Sequence, residues 1–468
     1  LHAAGDVTFE QVAGALRRVG HGGRLVLAGE DHLELVGSEG QLARYEEGAS
    51  WVEARSLERL GRRVTAAGRV ATHLELELMV LDLTCGRLEL SGLDPDGRDL
   101  ESLDKLELVR GVHGTLVMDQ EALDVSATEL VLLRVDEAVA LPDDAGPPVL
   151  YELFGEGPVR LGWTTAEADW RVDCRSIEAF VREAPMVEPP AEAADESALD
   201  RAWFELVARG EVRVREELGD FVGLGETLHL DHAAEDRALL EGGAGPAKVS
   251  GRLPAVLTDD EVTYKGEVER LALAGGVVAA DDVDVLLVGL DLPGSNLRPE
   301  LVGADDSTWR VRGQRLHAEV GLVELDGSVS FEGSDQGVPM RLLADLVTFV
   351  NADLWIGAQA DPESARPGRA QLDREDLLGT TITAHGSVLL RRGAEYEVSG
   401  DELSVAAETR ELRLSGAPAQ AIFAGLRSSS RWLRLDPVNM TLDSGPGQIT
   451  VDPVLMMALE RAREERSQ

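Results

Sequence analysis

Strict alternation of apolar and polar residues restricts this chain more than any other feature. Leu74-Glu75-Leu76-Glu77-Leu78 sends its leucines to one side and its glutamates to the other if the backbone is extended. The same pattern recurs in Arg87-Leu88-Glu89-Leu90-Ser91, Thr227-Leu228-His229-Leu230-Asp231, Trp309-Arg310-Val311-Arg312 and Glu411-Leu412-Arg413-Leu414-Ser415. Period two is the repeat of a half-buried strand and cannot place one face of a helix against a core. Glycines fall between these runs, where turns and bulges are needed. The expectation is an all-β protein.

Such strands need something to pack on. Of 468 residues, 44% are apolar but only 4% aromatic, so the core is built of Leu, Val and Ala. The length predicts about two to four domains. With 86 acidic against 45 basic residues the net charge is −41. This excludes nucleic acid as a partner, because phosphate binding needs clustered Lys and Arg. It also excludes simple adsorption to an anionic membrane surface. A solvated acidic coat is the plain reading, and a surface for divalent cations the other. The two cysteines, Cys85 and Cys174, fit one long-range disulfide or two buried thiols. No apolar run is long enough to cross a bilayer, since Leu130 to Leu141 is broken by Arg134, Asp136 and Glu137. The chain opens at Leu1 without a basic-then-apolar leader, so a removed signal, a removed anchor or a fragment is expected.

Helix signals are few. Phe9 to Val19 and Leu42 to Leu60 read either way, and the best helix is the tail Pro453 to Arg466, with proline first and arginines late. The acidic, proline-rich run Ala184 to Glu192 sets the main boundary. Leu141 to Pro148 and Ala358 to Ala370 read as long loops. The expected layout is an N-terminal β-repeat region over 1–183, a linker over 184–202 and a central β-repeat domain over 203–357. A C-terminal unit over 371–452 and a helical tail over 453–468 follow. A Gly-x-Val phrase is expected to open a strand at Gly5, Gly68, Gly210, Gly266, Gly327 and Gly386, with a degenerate copy near His113-Gly114-Thr115-Leu116. Repeats of this kind stack, because one unit cannot bury its own apolar face.

No constellation for chemistry stands out. In His229-Leu230-Asp231-His232 the third ligand candidate points away from the first two on a strand, so no compact metal site forms. Asp281-Asp282-Val283-Asp284 resembles part of a calcium loop but lacks its glycine and final glutamate, and reads as a solvated turn. There is no nucleophile elbow, no phosphate-binding glycine loop and no distinct acid pair. Ser428-Ser429-Ser430 reads as a polar loop. The tryptophans are core plugs or edge covers, with carbohydrate stacking as the alternative. No catalytic residue, metal or cofactor is expected.

The C-terminal third resembles a known family. Thr383-Ala384-His385-Gly386-Ser387-Val388 runs into Tyr396-Glu397-Val398-Ser399-Gly400-Asp401-Glu402-Leu403. Leu412-Arg413-Leu414-Ser415-Gly416-Ala417-Pro418 and Arg431-Trp432-Leu433-Arg434-Leu435 follow. This order is similar to the OstA-like family of periplasmic lipopolysaccharide-transport proteins. Trp309 to Leu316 with Leu325 to Val329, and Val64 to Val70, resemble the same family. The resemblance implies antiparallel folded-over sheets, or open β-jelly rolls, stacked end to end into a periplasmic bridge that holds lipid chains in an apolar groove. It implies lipopolysaccharide or a related lipid as partner, edge-to-edge stacking with other such β-domains, and no enzymatic step. Alternation then places Leu403, Val405, Leu412, Leu414, Leu433 and Leu435 on the lipid side, with Ser404, Arg413 and Arg434 opposite. Arg431 and Arg434 are expected to meet the head group. Two other readings stay open: a structural or adhesive β-solenoid without a groove, and a polysaccharide-acting β-helix enzyme. The chain departs from the family in carrying several units and in its acidity.

Overall fold

The computed structural model describes residues 1–13, 16–28, 32–76, 79–92, 103–118, 121–135, 149–164, 169–183, 202–216, 221–231, 237–253, 262–274, 277–288, 308–319, 321–335, 338–352, 381–393, 396–406, 411–423, 426–436 and 441–451. Every regular element among them is a β-strand. The ambiguous stretches Phe9–Val19 and Leu42–Leu60 are strand as well. The expected helix at 453–468 lies outside the described residues, as do nearly all of the 184–202 linker and the loops at 141–148 and 358–370.

Contacts divide the chain into two units, Leu1–Leu218 with Leu224–Leu239, and Gly219–Gly223 with Leu240–Gln468. The first begins with β1 (His2–Ala13), β2 (Leu16–Leu27) and the short strands β3 (His32–Val36), β4 (Ala43–Glu47), β5 (Ser50–Ala54) and β6 (Ser56–Leu60). Long strands follow: β7 (Arg63–Glu75), β8 (Val80–Ser91), β9 (Lys105–Met118), β10 (Glu121–Arg134), β11 (Val149–Thr164), β12 (Asp169–Glu183) and β13 (Ala202–Glu216). From β7 onward each strand pairs antiparallel with the next. β12 and β13 pair from Trp170↔Glu216 to Glu183↔Ala202, so the segment 184–202 joins neighbours in one sheet and does not separate domains. The division falls at 218–240 instead, near β14 (Phe221–Asp231) and β15 (Arg237–Glu241).

The second unit runs through β16 (Ala247–Leu253), β17 (Val262–Val268), β18 (Arg270–Ala274), β19 (Val277–Val288), β20 (Thr308–Glu319), β21 (Gly321–Asp335) and β22 (Val338–Ala352). It continues with β23 (Thr381–Arg392), β24 (Tyr396–Ala406), β25 (Leu412–Phe423), β26 (Leu426–Asp436), β27 (Thr441–Ser444) and β28 (Gly447–Val451). β22 pairs with β23, so 203–357 and 371–452 share one sheet across the segment between them.

The long strands are creased near their middles, and the crease explains the Gly-x-Val phrase. Gly68 and Arg69 hold φ of 78° and 55°, and Gly210 and Glu211 hold 78° and 53°. Arg110-Gly111, Gly327-Ser328 and Gly386-Ser387 do the same. A left-handed residue inside a strand is a bulge that bends it, and glycine takes that conformation without Cβ strain. The register shifts at each of these places. After the bulge the next residue turns inward: Val70, Val112, Val212, Val329 and Val388 are all buried. The phrase is therefore a corner within a strand and not a strand opening. Gly266 is not such a corner, because β17 is short and pairs without a shift. Three corners were not legible as copies: Arg110-Gly111-Val112, Gly157-Pro158-Val159 and Asp281-Asp282-Val283. Gly416-Ala417-Pro418, expected to close a strand, also lies mid-strand at a register shift.

The crease splits each sheet into two leaves. Leaf A holds residues 70–75 of β7, 80–85 of β8 and their partners, and leaf B holds residues 63–67 of β7, 87–91 of β8 and theirs. In the second unit leaf A includes 283–288 and 308–313, and leaf B includes 277–281 and 315–319. Their inner faces meet. Tyr45 Oη on leaf A accepts from Arg59 on leaf B at 2.6 Å in the first unit. Phe331 of leaf A and Phe349 of leaf B pack with ring centroids 6.0 Å apart in the second.

The two units repeat one connectivity. β5 and β6 cover the two halves of β7, and β17 and β18 cover the two halves of β19. The meander from β7 to β13 is matched by that from β19 to β25. Even the link between half-strands agrees. Arg55 N donates to Gly68 O at 2.9 Å, and Glu269 N donates to Asp281 O at 2.9 Å.

Candidate functional site

The inner face of leaf B carries the most continuous feature of the molecule. In the second unit one row of cross-strand partners reads Leu273, Val278, Ala318, Val323, Phe349, Ile382, Val405, Leu412 and Leu435. The neighbouring row reads Leu271, Ala280, Leu316, Leu325, Val347, Ala384, Leu403, Leu414 and Leu433. No polar side chain interrupts either row from β18 to β26. At about 4.8 Å per strand the strip is roughly 40 Å long.

All six residues expected on the lipid side lie in its C-terminal end, and all are buried. Leu403 faces Leu414 and Val405 faces Leu412. Leu412 and Leu414 in turn face Leu435 and Leu433. Alternation alone was enough to put them together. The upstream members are not singled out by the sequence alone, although they pair between consecutive strands, as Leu273 with Val278 and Ala318 with Val323; alternation on either side of each hairpin is the signal for them.

The first unit repeats the strip. Leu57, Ala66, Leu88, Leu108, Leu130, Gly155, Ile177 and Ala208 form one row. Val64, Leu90, Leu106, Leu132, Leu153, Ala179 and Leu206 form the other, and Arg59 precedes them. Arg59 belongs to a buried polar clasp. Glu47 accepts from Arg18 at 3.0 Å and from Tyr45 Oη at 3.0 Å, and stands 3.8 Å from Arg59. Burial, then the Glu47 charge, pushes the Tyr45 hydroxyl well above its ordinary range, so it stays a neutral donor. Farther along, Met79, Leu116 and Leu123 of leaf A close on Leu132, Leu153 and Leu206 of leaf B. They leave a wholly apolar cavity of about 10 Å³, space for about one water.

The outward residues are occupied differently from expectation. Ser404, Arg413 and Arg434 are cross-strand partners on the outer face, as alternation requires. Glu411 bridges both arginines, at 2.7 Å to Arg413 and 2.6 Å to Arg434. The Arg413 hydrogen bond, with that of Arg434, holds the Glu411 carboxyl below the usual carboxylate range. Arg434 is thus already paired, and Arg431 sits outside the crease opposite the β25 bulge. Neither points between the leaves.

The other chemical candidates resolve into structure. Asp281, Asp282 and Asp284 lie within β19 and not in a turn. Two bonds from Arg310, at 2.7 and 2.6 Å, hold the Asp284 carboxyl low, and Arg312 adds a third contact. His229 and Asp231 lie on β14, and His232 is outside the described residues. Among the described residues no group of three His, Cys, Asp or Glu converges on a metal position. Cys85 and Cys174 are free and buried, and burial pushes their thiols to about 11 and about 12. Trp309 is a core plug, while Trp163 and Trp170 stack at 6.1 Å across a hairpin.

The fold and interior define a class: a tandemly repeated, folded-over antiparallel sheet with an apolar lining. Comparison with family models, curated proteins and solved structures gives no match.

Proposed function

We propose that this protein holds the acyl chains of an amphiphile between its leaves and passes them along a periplasmic bridge, with lipopolysaccharide or a related envelope lipid as cargo and no chemical step. The observation that carries the reading is the pair of apolar rows running unbroken across nine strands of leaf B. A strip of that length matches extended hydrocarbon, and each methylene transferred to it contributes about 0.8 kcal/mol. The scarcity of large aromatics leaves a lining of small aliphatic side chains that repacks around a chain. Head groups leave at the free edges of the leaves, away from Arg431 and Arg434. Stacking with other folded-over sheets uses the edge strands β1 and β28, which among the described residues pair on one side only, β1 with β2 and β28 with β26.

One observation favours a second reading, a scaffold with no groove. The described cavity between the leaves of the first unit has room for about one water, so chains enter only if the leaves part. Mass spectrometry of lipid extracted from the purified protein decides between them. Stoichiometric diacyl or multi-acyl lipid supports the carrier, and protein free of lipid after exposure to envelope extracts supports the scaffold.

A further inference from the structure

The outside of each crease is a ridge, and the two ridges carry opposite charge at equivalent places. Arg55 links the half-strands beside β7 and lays its stem on Gly68, whose added Cβ would meet Arg55 Cδ at 3.0 Å. Glu269 makes the equivalent link beside β19. Arg69 is the left-handed residue of the β7 corner with φ 55°, and Asp282 is that of the β19 corner with φ 48°. Arg175 lies over the β13 corner at Gly210, and Asp401 lies over the β25 corner at Gly416. Asp345 lies over Gly386 where the first unit has Thr128 over Gly157. All of these residues are exposed. Arg55, Arg69, Asp282 and Asp345 have no side-chain partner among the described residues, while Arg175 pairs with Glu211 and Asp401 accepts from Ala417 N.

From Arg69 on β7 to Arg175 on β12, and from Asp282 on β19 to Asp401 on β24, the charged positions take five strand steps, with Arg55 and Glu269 one step before. At one strand spacing per step, each row covers about 24 Å. Unpaired arginines are unexpected on a chain of net charge −41, and a surface of matched length and opposite sign exists on the same chain. We propose that the arginine ridge of the first unit docks against the acidic ridge of the second unit in another copy of this protein. The contact is heterologous, so two of them close a dimer and one alone propagates. It uses the creases, and so leaves the edge strands and the apolar interior free. It does not rest on the lipid reading.

The test exchanges residues that the fold already accepts at these places. Glu211 shows that glutamate tolerates the left-handed corner, and Arg69 shows that arginine does. Sedimentation velocity at fixed moderate ionic strength compares wild type, Arg55→Glu with Arg69→Glu, Glu269→Arg with Asp282→Arg, and the fourfold variant. Each twofold variant is expected to weaken self-association by about tenfold or more. The fourfold variant is expected to restore it, and the two twofold variants are expected to associate when mixed. Circular dichroism and melting check that each folds. If either fails, Asp345→Arg, at an exposed position without a partner, is expected to weaken association instead. Wild type that stays monomeric at every concentration overturns the proposal. So does association that the reversals leave unchanged, which would assign the arginine ridge to a different anionic partner.

Discussion

At the residue scale, polar side chains on this protein are tied across strands. His73 on the outer face of leaf A is 2.7 Å from Asp82 and 3.4 Å from Glu75, and its ring stacks on Trp51. Partial burial alone lowers its pKa, but the hydrogen bonds to Asp82 and Glu75 outweigh it and the net shift is upward. A raised folded-state pKa stabilises fully below the unfolded value, about 6.5, and that contribution fades as pH rises through the folded one. His73→Gln is therefore expected to be less stable than wild type at mildly acidic pH, by on the order of 0.5 kcal/mol. The two should converge at alkaline pH, as urea titrations across that range would show. The Glu411 bridge illustrates what sequence reading misses. Facing of Arg413 and Arg434 was legible from alternation, but their shared carboxylate partner depends on the β25–β26 register.

At the element scale, the corner governs the fold. Alternation makes the strands legible, and Gly-x-Val marks several corners, although the phrase alone reads as a strand start. The reason is physical: a bulge and a turn both need a left-handed residue, and the phrase alone does not distinguish them. Asp282 hides a corner because it occupies the left-handed region without glycine. The shared connectivity of the two units was illegible for a related reason, since equivalent corners carry different residues, Gly68-Arg69 in one and Asp281-Asp282 in the other. Gly210→Ala places a Cβ 3.0 Å from the Arg175 Cβ at φ 78° and is expected to lower stability by about 1–2 kcal/mol. Glu211→Gly, which relieves the neighbouring left-handed residue, is expected to raise it or leave it unchanged. Urea midpoints of the two variants give the comparison. Raised midpoints for both would show that the corner is not a left-handed bulge.

At the scale of the whole molecule, an acidic exterior contrasts with a mainly aliphatic lining within each unit. The exterior charge keeps a long β protein soluble and discourages strand edges from pairing indiscriminately. The lining is continuous within each unit, because every second strand turns its corner at the same place and keeps the same rows inside. The central claim is that this lining receives hydrocarbon. Leu412 and Leu433 face between the leaves and Arg413 faces out. The direct measurement places a photo-crosslinking residue at each position in turn and irradiates the protein in envelope extract. Lipid adducts at positions 412 and 433 with none at 413 are the predicted result; equal labelling at all three, or none at any, contradicts the account.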